Sequence, residues 1–256
     1  IRVEATAIVG DGVPNVGGPA DQDFALFIWN ARAQGQAGAI DAEPPVIRPG
    51  APLQVRISDS DLRGAGTVMA AVNSNLGDSE MLTLNETGPN TGVFAGSLPT
   101  AGAAPAPDGT LQIADGNTIT AEYSDADSGS GPQTVSDFVS VDAVPPVISN
   151  VAVSEVGRDR LTITFDTSEP AASLVQAGTT CDTTQFETSG LLASSHSLTL
   201  TGLDPCTTYR FRITAADPPG NATVDPVGPC RRATTMGQQV ALSDGFDPMP
   251  DPGWLH

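Results

Sequence analysis

The 256-residue sequence contains no lysine, so all of its 11 basic residues are arginine. They face 30 acidic residues, and the formal net charge is −19. A surface this acidic repels phosphate backbones and anionic headgroups, so we expect neither nucleic acid nor a membrane surface as a partner. No apolar run approaches the roughly 18 residues that a membrane-spanning helix needs.

Residues that usually carry catalysis are equally scarce. His196 and His256 are the only histidines, which excludes a His-rich zinc cluster and obliges any Ser-His-Asp triad to use one of the two. The sequence holds no Gly-x-Ser-x-Gly elbow, no phosphate-binding glycine loop and no Cys-x-x-Cys pair. We therefore expect no catalytic residue, with His196 in a structural role. Trp29 ends an apolar run and is expected in a core.

Turn-forming and β-forming residues are abundant instead. The chain has 27 Gly and 22 Pro, with Thr, Val and Ser in short runs, and no segment shows a helical apolar period over 12 residues. This composition is typical of all-β proteins with many turns. The length accommodates two β-sandwiches of about 100 residues with a remainder at each end. The predicted fold class is therefore all-β, with tandem β-sandwich modules.

One stretch, Leu198–Asn221 (LTLTGLDPCTTYRFRITAADPPGN), specifies a corner, a strand and a tight turn. Tyr209, Phe211 and Ile213 alternate with polar residues, which predicts a strand with one buried face. The stretch resembles the E–F corner and F strand of a fibronectin type III domain. The resemblance implies that the Tyr209 hydroxyl bonds back to the corner backbone, as in other immunoglobulin-like sandwiches.

The resemblance and the spacing of strand patterns divide the chain into modules. Residues 143–236 are predicted to be the fibronectin type III-like domain (the second module), and residues 44–142 a seven-stranded sandwich (the first module). Within the latter, Leu82–Leu98 resembles a module repeated in large bacterial surface proteins and protease extensions. The seven strands expected there are Leu53–Ser58, Gly66–Val72, Glu80–Leu84, Gly92–Leu98, Thr110–Ile113, Thr118–Tyr123 and Val135–Val141. In the second module the fibronectin order implies strands A (Val147–Val153), B (Leu161–Phe165), C (Ala172–Ala177), E (Ser197–Leu200), F (Tyr209–Ala215) and G (Arg231–Thr235).

Both ends of the sequence resemble parts of further modules. Residues 1–32 resemble the final hairpin of a jelly-roll module that follows the catalytic domain of secreted subtilisin-like proteases; the alternative is a hairpin that packs on the next domain. Residues 33–43 are small and polar and are predicted to be a linker. Residues 237–256, which include Trp254, resemble a spacer and the opening strand of another module.

Carboxylates at loop mouths form the candidate sites. Asp59 and Asp61 follow one predicted strand, and Asp125 and Asp127 follow another. Alternate carboxylates suit Ca²⁺, which accepts six to eight oxygens in irregular geometry. Such sequences are also ordinary in turns, and that alternative stays open.

A second candidate calcium site follows from the fibronectin resemblance. In that fold the B–C and F–G loops lie at the pole where the chain enters, so Glu169, Asp217 and Asn221 are expected near Asp142, the last residue of the preceding module. The alternative is that Asp217 only caps its own turn.

All three cysteines, Cys181, Cys206 and Cys230, fall in the second module, which predicts an oxidising compartment and one unpaired thiol. A hairpin centred on Pro219 and Gly220 would place Cys230 near the start of strand F, which favours a Cys206–Cys230 disulfide. Cys181 at the end of strand C is also near that point, so Cys181–Cys206 is the alternative.

Taken together, these features predict a non-catalytic accessory region of a secreted bacterial enzyme, for which the resemblances imply a subtilisin-like protease. The alternative is a segment of a bacterial adhesin or self-assembling surface filament. The expected partners are an upstream catalytic or surface module of the same polypeptide, an insoluble polymer, the cell surface or further copies of the chain. Calcium is the one expected cofactor.

Overall fold

The computed structural model describes residues 35–181 and 185–237. Over these ranges the chain forms β-strands, connecting loops and a single 3-10 turn at Ser60–Leu62, which confirms the all-β sandwich prediction. None of the described residues belongs to a helix with the length and apolar character of a membrane crossing. The predictions for residues 1–32 and 238–256, with Trp29, Trp254 and His256, lie outside the described residues.

The first module contains ten strands, of which eight form one continuous sheet and two form a separate short parallel pair. The eight strands of the sheet follow the order β1-β3-β6-β5-β4-β9-β10-β2, and β7 pairs with β8. The strands are β1 (Ala39–Glu43), β2 (Val46–Ile47), β3 (Leu53–Ser58), β4 (Thr67–Ser74), β5 (Asp78–Glu86), β6 (Val93–Leu98), β7 (Thr100–Ala101), β8 (Leu111–Gln112), β9 (Thr118–Asp125) and β10 (Gln133–Val141).

Strict alternation explains why this sheet encloses a core. In β3, for example, Leu53, Val55 and Ile57 are buried while the residues between them are exposed. The two ends of the sheet order approach each other, because the Ala42 backbone N–H on β1 donates to Asp137 Oδ2 on β10 at 2.8 Å. The curled sheet therefore closes over a single apolar interior that includes Phe94, Leu84 and Ile119.

The predicted linker at residues 33–43 is wrong in its second half, where β1 pairs with β3 along its whole length. Ala42 is buried, and Ile40 packs against the core. Small residues gave this stretch a linker-like composition. A sheet edge nevertheless accepts them, because strand pairing uses backbone groups that every residue except proline carries.

The Glu86 carboxylate gives a structural reason for the sequence Glu86–Gly92, which contains Glu-Thr-Gly followed by Asn-Thr-Gly. It accepts backbone hydrogen bonds from Gly64 (3.0 Å), Gly66 (3.4 Å) and Gly92 (2.9 Å), and so joins two loops. The backbone donors of Gly64 and Gly92 lower the Glu86 pKa, since they stabilise the charged form. Gly92 has φ +65 and no room for a Cβ, which would lie 2.5 Å from the Asp59 carbonyl.

The second module is built from six strands. Two long strands, β12 (Arg160–Gly178) and β13 (Gln185–Thr201), pair along both of their halves, with a register shift between the halves. Strands B (Leu161–Phe165) and C (Ala172–Ala177) of the prediction are two halves of one strand that bends near Pro170, where the register shifts. The short predicted E strand is the end of a long strand that forms a hairpin with it. The strands are β11 (Ile148–Val156), β12 (Arg160–Gly178), β13 (Gln185–Thr201), β14 (Thr208–Ala216), β15 (Ala222–Asp225) and β16 (Arg231–Thr234).

The corner and strand expected from the fibronectin resemblance are confirmed. Tyr209, Phe211 and Ile213 are all buried in the core of the second module. The backbone N–H of Asp204, in the corner before β14, donates to the Tyr209 hydroxyl oxygen at 2.8 Å. This bond fixes the corner to the strand, as in other immunoglobulin-like sandwiches.

Both predicted disulfide pairings are wrong, because the structure joins Cys181 to Cys230 with their Cα atoms 5.9 Å apart. The unforeseen strand β15 displaces the register: Ile213 pairs with Asp225, whereas Phe211 pairs with Arg231. The intervening residues bulge out of the sheet. Cys230 consequently lies beside Arg212, while Cys206 stays exposed at the corner, where its N–H bonds to the Met236 carbonyl. A disulfide in this module fits an oxidising compartment.

Candidate functional site

Three carboxylates converge at the seam, which is the junction of the two modules at residues 142–147. Ligand atoms of Asp142, Glu169 and Asp217 all lie within 4.8 Å of one another. Asp142 directly follows β10, Glu169 lies at the bend of β12, and Asp217 directly follows β14. Two modules therefore contribute to one cluster, and the structure brings together the residues that the sequence predicted there.

Asp217 is held in place by the turn that follows it. Its Oδ1 accepts the backbone N–H groups of Gly220 (2.8 Å) and Asn221 (2.7 Å), and its Oδ2 accepts the Asn221 side-chain amide at 2.8 Å. Asp217 is only 5% exposed. Asp217 therefore caps its own turn, as the alternative interpretation of the sequence held. One lone pair of its carboxylate remains available to a further ligand.

Hydrogen bonds also fix the chain that crosses the seam. The Asn221 side-chain amide donates to the Asp142 carbonyl at 3.0 Å, and the Ala143 N–H donates to Asp115 Oδ1 at 2.9 Å. On the other side, the Val147 N–H donates to the Ser168 hydroxyl at 2.9 Å. The short segment between the modules is therefore anchored to both of them.

The charges at the seam are unbalanced. Burial is the largest cause that raises the Glu169 pKa, and the charges of Asp142, Asp217 and Asp115 raise it further. Within residues 35–181 and 185–237, no arginine forms an ion pair with any of these four carboxylates. Converging anionic oxygens without a cationic partner are a chemical match for a hard divalent cation such as Ca²⁺.

The other predicted carboxylates, Asp59, Asp61, Asp125 and Asp127, lie together at the opposite end of the first module. They line a cleft of about 440 Å³. Backbone groups occupy much of their capacity: Asp59 and Asp125 each accept the N–H of the aspartate two residues later, at 2.9 Å. Among the described residues, only the seam brings three carboxylates within mutual reach of one ion.

The cleft also binds the incoming chain, which the sequence did not indicate. The Gly38 N–H donates to Asp125 Oδ2 at 2.8 Å, and the Gln36 N–H donates to Asp61 Oδ2 at 2.7 Å. Tyr123, also unforeseen, donates its hydroxyl to Asp59 Oδ2 at 2.5 Å. Burial, followed by this bond, raises the Tyr123 pKa. A side chain at Gly38 would collide with Tyr123, since its Cβ would lie 2.8 Å from the ring.

His196, for which a structural role was expected, is buried and packs against an aromatic ring and a hydroxyl group. Its ring stacks on Phe165 with centroids 4.6 Å apart, and its Nε2 lies 3.2 Å from the Thr167 hydroxyl. The side chain is buried, and burial lowers its pKa. These contacts assign His196 to the core of the second module.

Comparisons with known proteins return fold similarity alone. No protein-family model matches the chain, and no curated protein matches it. A fibronectin type III domain of human fibronectin type III domain containing protein 3 shares 14% identity, with 40% of this chain and 95% of that one covered and a TM-score of 0.30. Domains of titin share 15% identity, with coverage of 78% and 66% and a TM-score of 0.40. The FN1–FN3 domains of chicken CNTN1 share 13%, with coverage of 79% and 66% and a TM-score of 0.46.

Proposed function

We propose that this chain is a non-catalytic stretch of tandem β-sandwich modules that spaces and presents other parts of a larger secreted polypeptide. The observation that carries the proposal is the anchored seam, where the Asn221 amide of the second module binds the Asp142 carbonyl of the first. Pro145 and Pro146 add stiffness to the same segment. A junction fixed on both sides holds two modules at a defined separation, which is what a spacer requires.

The wider setting that we propose is the accessory region of a secreted bacterial enzyme of the subtilisin-like protease class. The sequence resemblances of residues 1–32 and 82–98 support this setting. Such a region acts by binding a polymer or a cell surface, and it thereby raises the local concentration of its enzyme without new chemistry. Sequencing the gene upstream of Ile1 tests this setting, and a protease domain there is the expected result.

The alternative setting is a surface adhesin or filament, and one feature of β13 favours it. Phe186 is 69% exposed and Leu191 is 74% exposed, both on the part of β13 that forms the outer edge of its layer. An exposed strand edge with apolar side chains is a template for pairing between chains. Sedimentation that shows concentration-dependent assembly, abolished by Phe186→Lys, would favour this alternative.

We also propose that Ca²⁺ stiffens the seam through Asp142, Glu169 and Asp217, with Asn221 positioning the first and last of these. The chemistry of the donor set supports it, because oxygen atoms from two modules converge there and no arginine among the described residues forms an ion pair with them. The cleft of Asp59, Asp61, Asp125 and Asp127 is a second, weaker candidate, since backbone groups already use several of its oxygens. Calcium at the seam would restrict the angle between the modules.

Two measurements on the purified chain test the proposed function. Small-angle X-ray scattering is expected to give one extended arrangement of the two modules, and assays with casein, esters, phosphoesters and polysaccharides are expected to show no turnover. Scattering that requires a broad ensemble of module angles in the presence of calcium would contradict the spacer role. Turnover that survives repurification and is lost in His196→Ala would show that the chain is an enzyme.

A further inference from the structure

One face of the second module is cationic, although the chain as a whole is strongly acidic. β14 pairs with β12 on one side and β16 on the other, so Arg210 and Arg232 stand directly opposite each other on adjacent strands. Arg212 lies two positions along β14 and therefore projects from the same face. We call these three residues, with Phe186 and Leu174 on the neighbouring strands, the arginine face.

Among the described residues, the strand register places no carboxylate on this face. In the layer that residues 172–178 of β12 form with β14, the described outward positions of β12 to β16 hold small, hydroxyl, amide, apolar or arginine side chains. The nearby acidic residues Glu187 and Asp225 pair with the inward positions Val175 and Ile213. Asp225 is in any case bound by Arg231. Within residues 143–181 and 185–237, the second module therefore supplies no anion to this face.

The three guanidinium groups differ in how they are held. Arg212 is fixed, because its Nη2 donates to the Gly228 carbonyl at 2.9 Å and its Nε lies 3.3 Å from Cys230 Sγ. Arg210 and Arg232 make no hydrogen bond or ion pair through their side chains within the described ranges. Like charges directly opposite each other destabilise a sheet. The Arg210–Arg232 pair therefore reduces the stability of the sheet, and a bound external anion would offset this repulsion.

We infer that the arginine face is a docking surface for an extended acidic polypeptide segment with carboxylates at alternate positions. Residues two apart on a strand are separated by about 6.7 Å, both in β14 and in an extended ligand, so alternate carboxylates match the Arg210–Arg212 spacing. Guanidinium groups bind carboxylates through two parallel hydrogen bonds. A sugar unit is longer than one residue of an extended polypeptide, so carboxylates on one side of an acidic polysaccharide lie farther apart, and the spacing favours a polypeptide.

Apolar surface next to the arginines completes the match. A shallow cavity of about 370 Å³ continues the face, lined by Leu174, Thr188, Thr214 and Ala216 among others. Phe186, which pairs with Gln176 in the same row as Arg212, is largely exposed beside it. The residues of the ligand that carry no carboxylate would thus contact this apolar surface, which accommodates small or apolar side chains.

The inference rests on the proposed binding and spacing role and is tested separately from it. The probe is a fluorescent 12-residue peptide of alternating Asp and Thr, titrated into the full chain at fixed ionic strength. The comparison peptide has the same composition with six Asp in one block. We expect the alternating peptide to bind more tightly, and R210S/R232S to weaken its binding at least about tenfold, since two charge-assisted contacts are lost.

The matched control is R158S/R160S, which removes the same charge from exposed positions of the same module and is expected to leave binding nearly unchanged. Equal losses in both double variants, or equal binding of both peptides, would overturn the inference in favour of unspecific attraction. R210S/R232S is expected to have a melting temperature no lower than that of the unmodified chain, because a repulsive pair has been removed. If this double variant does not fold, the single variant Arg232→Glu, at an exposed site, takes its place in the binding experiment.

Two further outcomes would assign the face to another occupant. Tighter binding of polygalacturonate than of the alternating peptide, with the same dependence on Arg210 and Arg232, would show a polysaccharide surface and overturn the polypeptide assignment. A dimer in sedimentation that dissociates in R210S/R232S would show that a second copy occupies the face. If neither peptide binds, the inference is overturned, whereas the spacing role stands because scattering measures that role independently.

Discussion

The side-chain amide of Asn221, in the turn between β14 and β15, bonds to the backbone carbonyl of Asp142, the last residue of the first module, at 3.0 Å. The same amide bonds to Asp217 at 2.8 Å. One buried side chain thus connects a turn, an acidic cluster and the neighbouring module. This residue therefore contributes directly to the geometry of the seam.

Replacing Asn221 with alanine is therefore expected to loosen the seam and destabilise the second module by about 1–3 kcal/mol, because buried hydrogen-bond acceptors lose their donor. Urea unfolding measures the stability, and X-ray scattering measures the spread of module angles. Asn73→Ala, which removes an amide that donates to Glu122 within the first module, is the control. An unchanged angular distribution in Asn221→Ala would contradict the role assigned to this side chain.

Glu169→Gln is expected to change the melting temperature in opposite directions in the absence and in the presence of calcium. The Glu169 pKa is raised, so the folded state holds its proton more tightly than the unfolded state, and stability declines as pH rises above the ordinary value of 4.5. At neutral pH without metal, Glu169→Gln is expected to raise the melting temperature by relieving repulsion.

With millimolar Ca²⁺ the same variant is expected to melt below the unmodified chain, since it has lost a ligand. Differential scanning calorimetry with calcium and with a chelator checks both signs. Glu155→Gln, at an exposed position of β11, is the control. If calcium leaves the melting temperature of the unmodified chain unchanged, the proposed metal site at the seam is wrong.

The buried His196 is expected to make the second module sensitive to mild acid. Burial lowers its pKa in the folded state, so below the ordinary value of 6.5 the unfolded state gains a proton first. The stability that the neutral His196 ring contributes to the folded state is complete above pH 6.5. It is lost progressively as the pH falls from there toward the pKa of His196 in the folded state. His196→Phe retains a ring on Phe165 and should flatten the dependence between pH 7 and 5 in denaturant titrations. An equally steep profile in this variant would assign the dependence to carboxylates instead.

The Cys181–Cys230 disulfide closes a loop with a sequence separation of 49 residues. Replacing both cysteines with serine is expected to lower the unfolding free energy by about 2–4 kcal/mol, whereas Cys206→Ser should change it little because that thiol is exposed. Peptide mapping without reductant should recover Cys181 linked to Cys230. Recovery of a Cys206–Cys230 peptide would show that the register of β16 differs from the one described.

The sequence predicted the strands of the first module closely, and the reason is local. Alternation such as that of Leu53, Val55 and Ile57 decides which face of a strand is buried before any partner is known. Turn chemistry is local as well, so the Asp217–Asn221 turn was predictable. The strand β1 was missed because its small residues give no alternating apolar signal, although its backbone pairs throughout.

The sequence by itself determined the all-β class, the buried face of β14 and the presence of carboxylates in the loops, because each of these follows from neighbours in the chain. The tertiary structure alone decided which cysteines meet, whereas the convergence of the seam carboxylates could be expected only through the fibronectin resemblance. Cys230 reaches Cys181 only because the chain bulges between β15 and β16. Asp142 meets Glu169 and Asp217 only because the seam fixes one module against the other. Both outcomes depend on distances between segments far apart in sequence, which no local pattern encodes.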